Sequence, residues 1–240
     1  MNATVIMSTS PVPSNPSTAI IEGTIASIRY HLPEIPIIIM VDGMRQEQWE
    51  RSDERHRYEE FKKRLAYRVL EFPNVAIKTF GKHLHQAGMT SETLGDIKTP
   101  LLFFFEHDTP LLPLPIDFAG IERVILSKFI DCVRLHPLTY RRPEHEYLNR
   151  GDVEFHGVPL IKTVQWSQRP HVTTVQFYRE MLSKFRVGSN TFIEDFIYDY
   201  VAAAPWEKYK VAIYNPSEGG IQRSEHTDAR GGDPKFECRF

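Results

Sequence analysis

Thr99 to Pro110 reads TPLLFFFEHDTP, and its polar end carries three groups able to bind metal or accept protons. Glu106 and Asp108 lie two apart, with His107 between them. In an extended chain, residues two apart share a face, so both carboxylates would point the same way. Two carboxylates with a nearby imidazole suit a divalent Mg or Mn ion, which would bridge the phosphates of a substrate. A strand end that simply turns polar at the surface would look the same. The apolar run Leu101 to Phe105, bounded by Pro100 and Pro110, predicts a buried strand. Open α/β sheets hold ligands just past the carboxyl ends of such strands.

The elements that must position this corner follow from the flanking pattern. Thr4 to Thr9 reads as a first strand. Ser10 to Pro16 is a loop in which Asn15 can cap a helix and Pro16 suits its first position. Ile20, Ile21, Thr24, Ile25 and Ile28 then recur at helical spacing up to about His31. Ile37 to Val41 is apolar throughout, as expected of a parallel strand covered on both faces. Arg45 to Glu71 predicts one long amphipathic helix with Trp49, Tyr58, Phe61, Leu65 and Val69 along its stripe. A third strand is expected at Val75 to Phe80, and a loop and helix at Gly81 to Asp96. The alternation implies right-handed crossovers and an α/β fold, with a mainly parallel central sheet and helices on both faces.

Downstream, the pattern predicts a helix over Ile116 to Ile130, with Ile121, Val124, Ile125 and Phe129 inward, and a strand over Cys132 to Leu135. Arg141 to Asp152 reads as charged and irregular, Val158 to Trp166 as a strand, and Thr173 to Phe185 as a helix. Another helix is expected at Phe192 to Ala203 after Gly188-Ser189-Asn190, a last strand at Lys210 to Tyr214, and a long loop over Asn215 to Asp233. One domain over residues 1–240 is the simplest parse.

Several residues outside the corner can serve a ligand. Thr9, Ser10 and Ser14 sit where a doubly wound sheet places a nucleotide, but the loop has neither GxGxxG nor GxxxxGK[ST], which disfavours dinucleotide and P-loop sites. Asp42 can accept from a ribose hydroxyl or a base N–H, or serve only as the first residue of an Asp-Gly turn. Trp166 can stack on a sugar or pack in the core. Arg169 or His171 can reach a phosphate. Arg223, His226, Asp228 and Arg230 lie among glycines in the tail, which can also be read as a solvated segment.

The order of strand, Ser/Thr-Pro loop, helix with IASIRYHLP, strand IIIMVDG, HQAG and LLFFFEHD resembles the GT-A fold glycosyltransferases, closest to their broad family 2-like group. The resemblance implies that residues from about 1 to 108 bind a nucleotide sugar. It places the acceptor, with a C-terminal loop, in about 109–240. Glu106-His107-Asp108 would stand for the family's Asp-x-Asp, which holds the metal and the donor diphosphate. Glu stands here for the usual first Asp. The resemblance makes Glu194-Asp195 the acidic pair beneath the acceptor, with Asp195 as the base of an inverting transfer and Glu194 as the runner-up. Thr9, Ser10, Pro11 and Asp42 would hold the nucleoside, and Trp166 and Arg230 would complete the donor site. His226 would join Glu106 and Asp108 at Mn or Mg. The donor implied is a UDP- or GDP-sugar, and the acceptor a glycan or another hydroxyl. A sugar-1-phosphate nucleotidyltransferase shares the architecture but needs a glycine-rich basic loop where this chain has STSPVPSNP. A non-catalytic domain that binds a nucleotide sugar is the other alternative.

Composition bounds the rest. The chain has 240 residues, 41% hydrophobic and 25% charged, enough for a full core. A net charge of -2 gives no broad basic field for nucleic acid. Cys132 and Cys238 fit neither a disulfide framework nor a zinc motif. The N-terminal stretch reads neither as a signal peptide nor as a membrane span, so a cytoplasmic setting is expected.

Overall fold

A computed structural model describes residues 1–135, 143–184, 192–216 and 223–227. The elements in chain order are β1 (Ala3–Thr9), α1 (Ala19–His31), β2 (Ile37–Val41), α2 (Gln46–Glu50), α3 (Ser52–Arg68), β3 (Val75–Thr79), α4 (His85–Thr93), β4 (Leu101–Glu106), α5 (Phe118–Leu126) and β5 (Cys132–Arg134). They continue with β6 (Asn149–Phe155), β7 (Val158–Thr163), β8 (His171–Thr174), α6 (Val175–Leu182), α7 (Ile193–Ala202), α8 (Trp206–Tyr209) and β9 (Val211–Tyr214).

The nine strands form one sheet in the order β3-β2-β1-β4-β8-β5-β9-β7-β6. Its first four strands are parallel, as expected. The rest corrects the mainly parallel expectation. β8 runs antiparallel to both β4 and β5, β7 runs antiparallel to β9 and β6, and only β5 and β9 pair in parallel there. The sheet is therefore mixed. The reason is physical: an apolar strand covered on both faces has the same sequence whichever way its neighbour runs.

Strand side chains alternate between two cores, one on each face of the sheet. Val5, Met7, Ile37, Ile39, Phe103 and Phe105 meet Ile21 and Ile25 of α1, Phe61 and Leu65 of α3, and Ile121 and Val124 of α5. Ile6, Met40, Leu102 and Phe104 meet Met89 of α4, Tyr178 and Met181 of α6, and Ile193 and Ile197 of α7. Helices therefore cover both faces, as the sequence implied.

Five local expectations change. The first helix begins at Ala19, because Asn15 spends its side chain on the loop, accepting from the Val12 N–H at 2.9 Å. The long helix is broken at Arg51, which is extended, and Trp49 is left half-exposed under the Arg55 guanidinium. α5 ends at Leu126, so Phe129 falls off the helical stripe, is 45% exposed and stacks on Phe155 instead. The expected helix from Thr173 begins as strand and turns helical only over Val175–Leu182, with Thr174 capping α6 by accepting from the Phe177 N–H at 3.0 Å; Phe185 lies outside the described residues. The charged segment that reads as irregular contains β6, whose exposed, charged face suits a sheet edge. Among the described residues no helix is long and apolar enough to cross a membrane.

Candidate active site at the carboxyl ends of the parallel strands

Because β1, β2 and β4 are parallel neighbours, their carboxyl ends share one edge of the sheet. Thr9 pairs with Val41, and Ser8 with Glu106. A cavity of about 600 Å³ opens at that edge. Ser8, Thr9, Ser10, Pro11, Asp42, Glu106, His107, Asp108 and His226 all line it. The sequence-predicted candidates from the first strand, the second strand, the acidic triplet and the tail thus meet at one cavity.

The acidic corner is built by a turn rather than by a continued strand. The Thr109 N–H donates to the Glu106 carbonyl at 3.3 Å, and its hydroxyl accepts from the Glu106 N–H at 3.2 Å. This folds the chain back directly after β4. The third member arrives from far downstream. Residues 223–227 lie antiparallel along 108–112, with Leu111 bridged to Ser224, the Glu225 N–H donating to the Pro110 carbonyl, and Thr227 donating its N–H and hydroxyl to the Asp108 carbonyl. His226 Nε2 then sits 3.4 Å from Asp108 Oδ2. One donor atom from each of Glu106, Asp108 and His226 lies within 4.8 Å of the others.

The electrostatics of this cluster follow from its packing. Burial pushes the Glu106 carboxyl up to about 7, and the neighbouring charge of Asp108 adds to this. A hydrogen bond from Gln86 and the charges of His226 and Arg169 oppose the rise. Acidic groups crowded at low hydration favour a cation, which removes both their repulsion and the desolvation cost. Two carboxylate oxygens and an imidazole nitrogen suit Mn or Mg. His107 lines the cavity too, and its buried Nε2 has no hydrogen-bond partner among the described residues. Thr9 Oγ1 is in the same state.

Asp42 lines the cavity, but its carboxylate is already occupied. Oδ1 accepts from the Gly43 and Leu84 N–H groups at 2.9 and 2.8 Å. Oδ2 accepts from the His85 N–H at 3.0 Å and lies 2.8 Å from His83 Nδ1. With three of about four acceptor sites filled, the His83 ring against Oδ2 and the residue 2% exposed, the carboxylate is closed to a ribose hydroxyl or a base. Asp42 instead clamps the loop that carries His83 and His85. Gly43 makes that approach possible, since a Cβ there would lie 2.2 Å from the Lys82 carbonyl carbon.

Other candidates are not brought to the cavity. Trp166 is 1% exposed and packs against Phe177, Tyr178 and His171 in the second core, so its ring has no free face for a sugar. His171 is fully buried and packs against both Phe104 and Tyr178, which also meet each other, so it reaches no phosphate in the cavity. Glu194 and Asp195 open α7. Glu194 accepts from the Gln168 N–H at 3.2 Å, whereas Asp195 is exposed and its charge is felt at His85. Arg230 and Asp228 lie outside the described residues, as do Gly188-Ser189-Asn190 and Cys238.

The cavity also contains residues that the sequence reading did not single out: Arg45, Gln48, His83, His85, Gln86, Met89 and Phe192. His85 has a positive φ of 59° at the start of α4, an unusual conformation for a residue with a Cβ. Its ring meets that of Phe192 edge to face, 4.3 Å between centroids. The signal available was His-Leu-His-Gln following Gly81, a polar cluster between a strand and a helix.

No family model and no curated protein matches the chain in sequence. Solved structures do match in fold. Staphylococcus aureus TarS, residues 1–349 in complex with UDP-GlcNAc, superposes with a TM-score of 0.58 at 9% identity, covering 100% of this chain and 62% of that one. The same TarS fragment with UDP gives 0.59 at 9% identity, over 99% and 62%. GalNAc-T7 with UDP, GalNAc and Mn2+ gives 0.57 at 13% identity, over 98% of this chain and 46% of that one. The chain thus spans less than two thirds of each of these solved chains. With superposition over nearly its whole length and a cavity at the carboxyl ends of the parallel strands, this chain has the fold of the GT-A glycosyltransferases.

Proposed function

We propose that this protein is a glycosyltransferase that moves a sugar from a nucleoside-diphosphate sugar to a hydroxyl acceptor, with metal assistance and inversion. The observation that carries the reading is the convergence of Glu106, Asp108 and His226 at one end of the strand-edge cavity. The fold neighbours include complexes with UDP, UDP-GlcNAc, and UDP with GalNAc and Mn2+, which favours a UDP-type donor.

In this reading Thr9, Ser10 and Pro11 hold the nucleoside, beside the His83–His85 loop that Asp42 clamps. Glu106, Asp108 and His226 would hold Mn or Mg, which when bound offsets charge on the leaving diphosphate. Asp195 is the base that takes the proton from the acceptor hydroxyl as it attacks the anomeric carbon. Glu194 is the less suitable base because it already accepts from the Gln168 backbone. The donor-binding half is about 1–108 and the acceptor-binding half about 109–240. A cytoplasmic setting belongs to the same proposal.

The test pairs binding with turnover. UDP with Mn2+ should raise the unfolding temperature, since a ligand of the native state stabilises it. Asp108→Asn should abolish the metal-dependent part of that rise, and Asp195→Asn should lower transfer while leaving donor binding intact. If neither UDP nor GDP shifts unfolding with Mn2+ or Mg2+, the nucleotide-sugar reading fails. If UDP binds but Asp195→Asn transfers as well as the parent, the base assignment fails.

A further inference from the structure

A row of buried side-chain amides runs from the second core to the acidic corner. Trp166 Nε1–H donates to Gln168 Oε1 at 3.1 Å. Gln168 Nε2 donates to Gln86 Oε1 at 3.1 Å. Gln86 Nε2 donates to Glu106 Oε1 at 2.6 Å. All three relay residues are buried, Gln86 at 8%, Gln168 at 3% and Trp166 at 1% exposure.

The direction of this row follows from chemistry at its two ends. An indole N–H can only donate, and the Glu106 oxygen at the other end accepts from Gln86 Nε2. Each glutamine must therefore show its carbonyl toward Trp166 and its NH₂ toward Glu106. Turning either amide over would set donor against donor or acceptor against acceptor at both of its contacts. Such pairs are costly where water cannot intervene. The backbone adds a further restraint, since the Gln168 N–H donates to Glu194 Oε2 at 3.2 Å. The row thus ties together β4, α4, the segment between β7 and β8, and the first turn of α7.

We propose that Gln86 and Gln168 are positioning residues whose one-way amide relay fixes the Glu106 carboxylate and so presets the Glu106, Asp108 and His226 donors for a divalent cation. This rests on the metal reading given under Proposed function. Partners behind a metal ligand typically change metal affinity by about 10- to 100-fold when removed. The relay also gives the buried Trp166 a task in the site: it sets the polarity of the chain at a distance, without touching a ligand.

The test is a titration with Mn2+, alone and with UDP, followed by the electron paramagnetic resonance of free Mn2+. Gln86→Leu should weaken Mn2+ binding by about 10-fold or more. Gln168→Met, which keeps the bulk but removes the amide, should weaken it by a smaller factor. UDP binding without metal should stay unchanged in Gln168→Met, whose residue does not line the cavity. A core change away from the relay, Met181→Ala, should lower the unfolding temperature and leave Mn2+ affinity untouched, which separates positioning from loss of stability. If Gln168→Met does not fold, Gln86→Asn carries the test, since it keeps an amide but withdraws it from Glu106. Folded variants that bind Mn2+ as the parent does would overturn the relay and leave the metal reading standing. A parent that takes up no Mn2+ with or without UDP would remove the metal reading, and the proposed role of the relay with it.

Discussion

Asp42→Asn is the sharpest probe of how the cavity is built. The parent carboxylate accepts from three backbone N–H groups and lies 2.8 Å from the His83 imidazole. An asparagine keeps one oxygen and turns an NH₂ toward the other pair. With the oxygen at the Gly43 and Leu84 side, the His85 N–H loses its acceptor in a buried setting, at a cost of about 1–3 kcal/mol. The two surviving bonds lose their charge assistance, roughly 0.5 kcal/mol each on the same scale. The His83 ring keeps its contacts with the Arg45 Nε–H and the Gly43 carbonyl, at 3.4 and 3.3 Å, in the variant. The sum is about 2–4 kcal/mol. In a chain of this size each kcal/mol moves Tm by about 2–4 °C, so the midpoint should fall by about 5–15 °C. Thermal unfolding measured beside UDP titration decides the matter. A variant that melts with the parent but loses UDP affinity tenfold would refute the clamp and make Asp42 a direct nucleoside contact.

Three further outcomes follow from the same geometry. Gly43→Ala should displace the His83–His85 loop, because its Cβ would lie 2.2 Å from the Lys82 carbonyl carbon, whereas Gly81→Ala meets nothing within 4 Å; UDP titration and Tm should both fall for the first and stay put for the second. His226→Ala should weaken Mn2+ binding about 10-fold while changing Tm by no more than a few degrees, read by calorimetric titration. His171 is held at about 3 by burial, so the unfolded chain, with an ordinary histidine near 6.5, takes up a proton that the folded chain refuses. Its contribution is complete above pH 6.5 and is lost as pH falls toward 3, amounting to about 2–3 kcal/mol at pH 4.5. His171→Phe, which preserves the stack with Phe104 and Tyr178, should therefore lose that much less stability than the parent between pH 7.5 and 4.5 in urea titrations.

The first half of the chain was legible because its signals are local. Ile37 to Val41 and Leu101 to Phe105 are continuous apolar runs with punctuation on both sides, and their carboxyl ends mark the cavity directly. Glu106, Asp108 and the loop after β1 then follow from position alone. The second half resisted for two reasons. The direction of β8 between β4 and β5 is a matter of connectivity, which an apolar tetrapeptide does not encode. The charged β6 owes its strand state to a partner, β7, and not to its own composition. At the site, Trp166 read as an aromatic contact because sequence cannot distinguish a ring that faces a ligand from one buried at 1%. Asp42 was found by position, but its role was hidden, since its three donors come from residues 43, 84 and 85. His83 and His85 escaped for the same reason: only the fold shows that a loop after β3 leans against the end of β2.

Residue 226 reaches residue 108 across most of the second half of the chain, and this gives the cluster a mechanical side. A cation shared by Glu106, Asp108 and His226 would act as a removable cross-link between the sheet edge and the far downstream segment. Closing so long a loop has a large entropic cost in the unfolded chain, which a staple at its ends offsets. Cofactor supply would then set how firmly residues 223–227 stay seated, and proteolysis near that segment should slow as Mn2+ is added. Ligand release and the fastening of the downstream chain would be governed by the same three side chains.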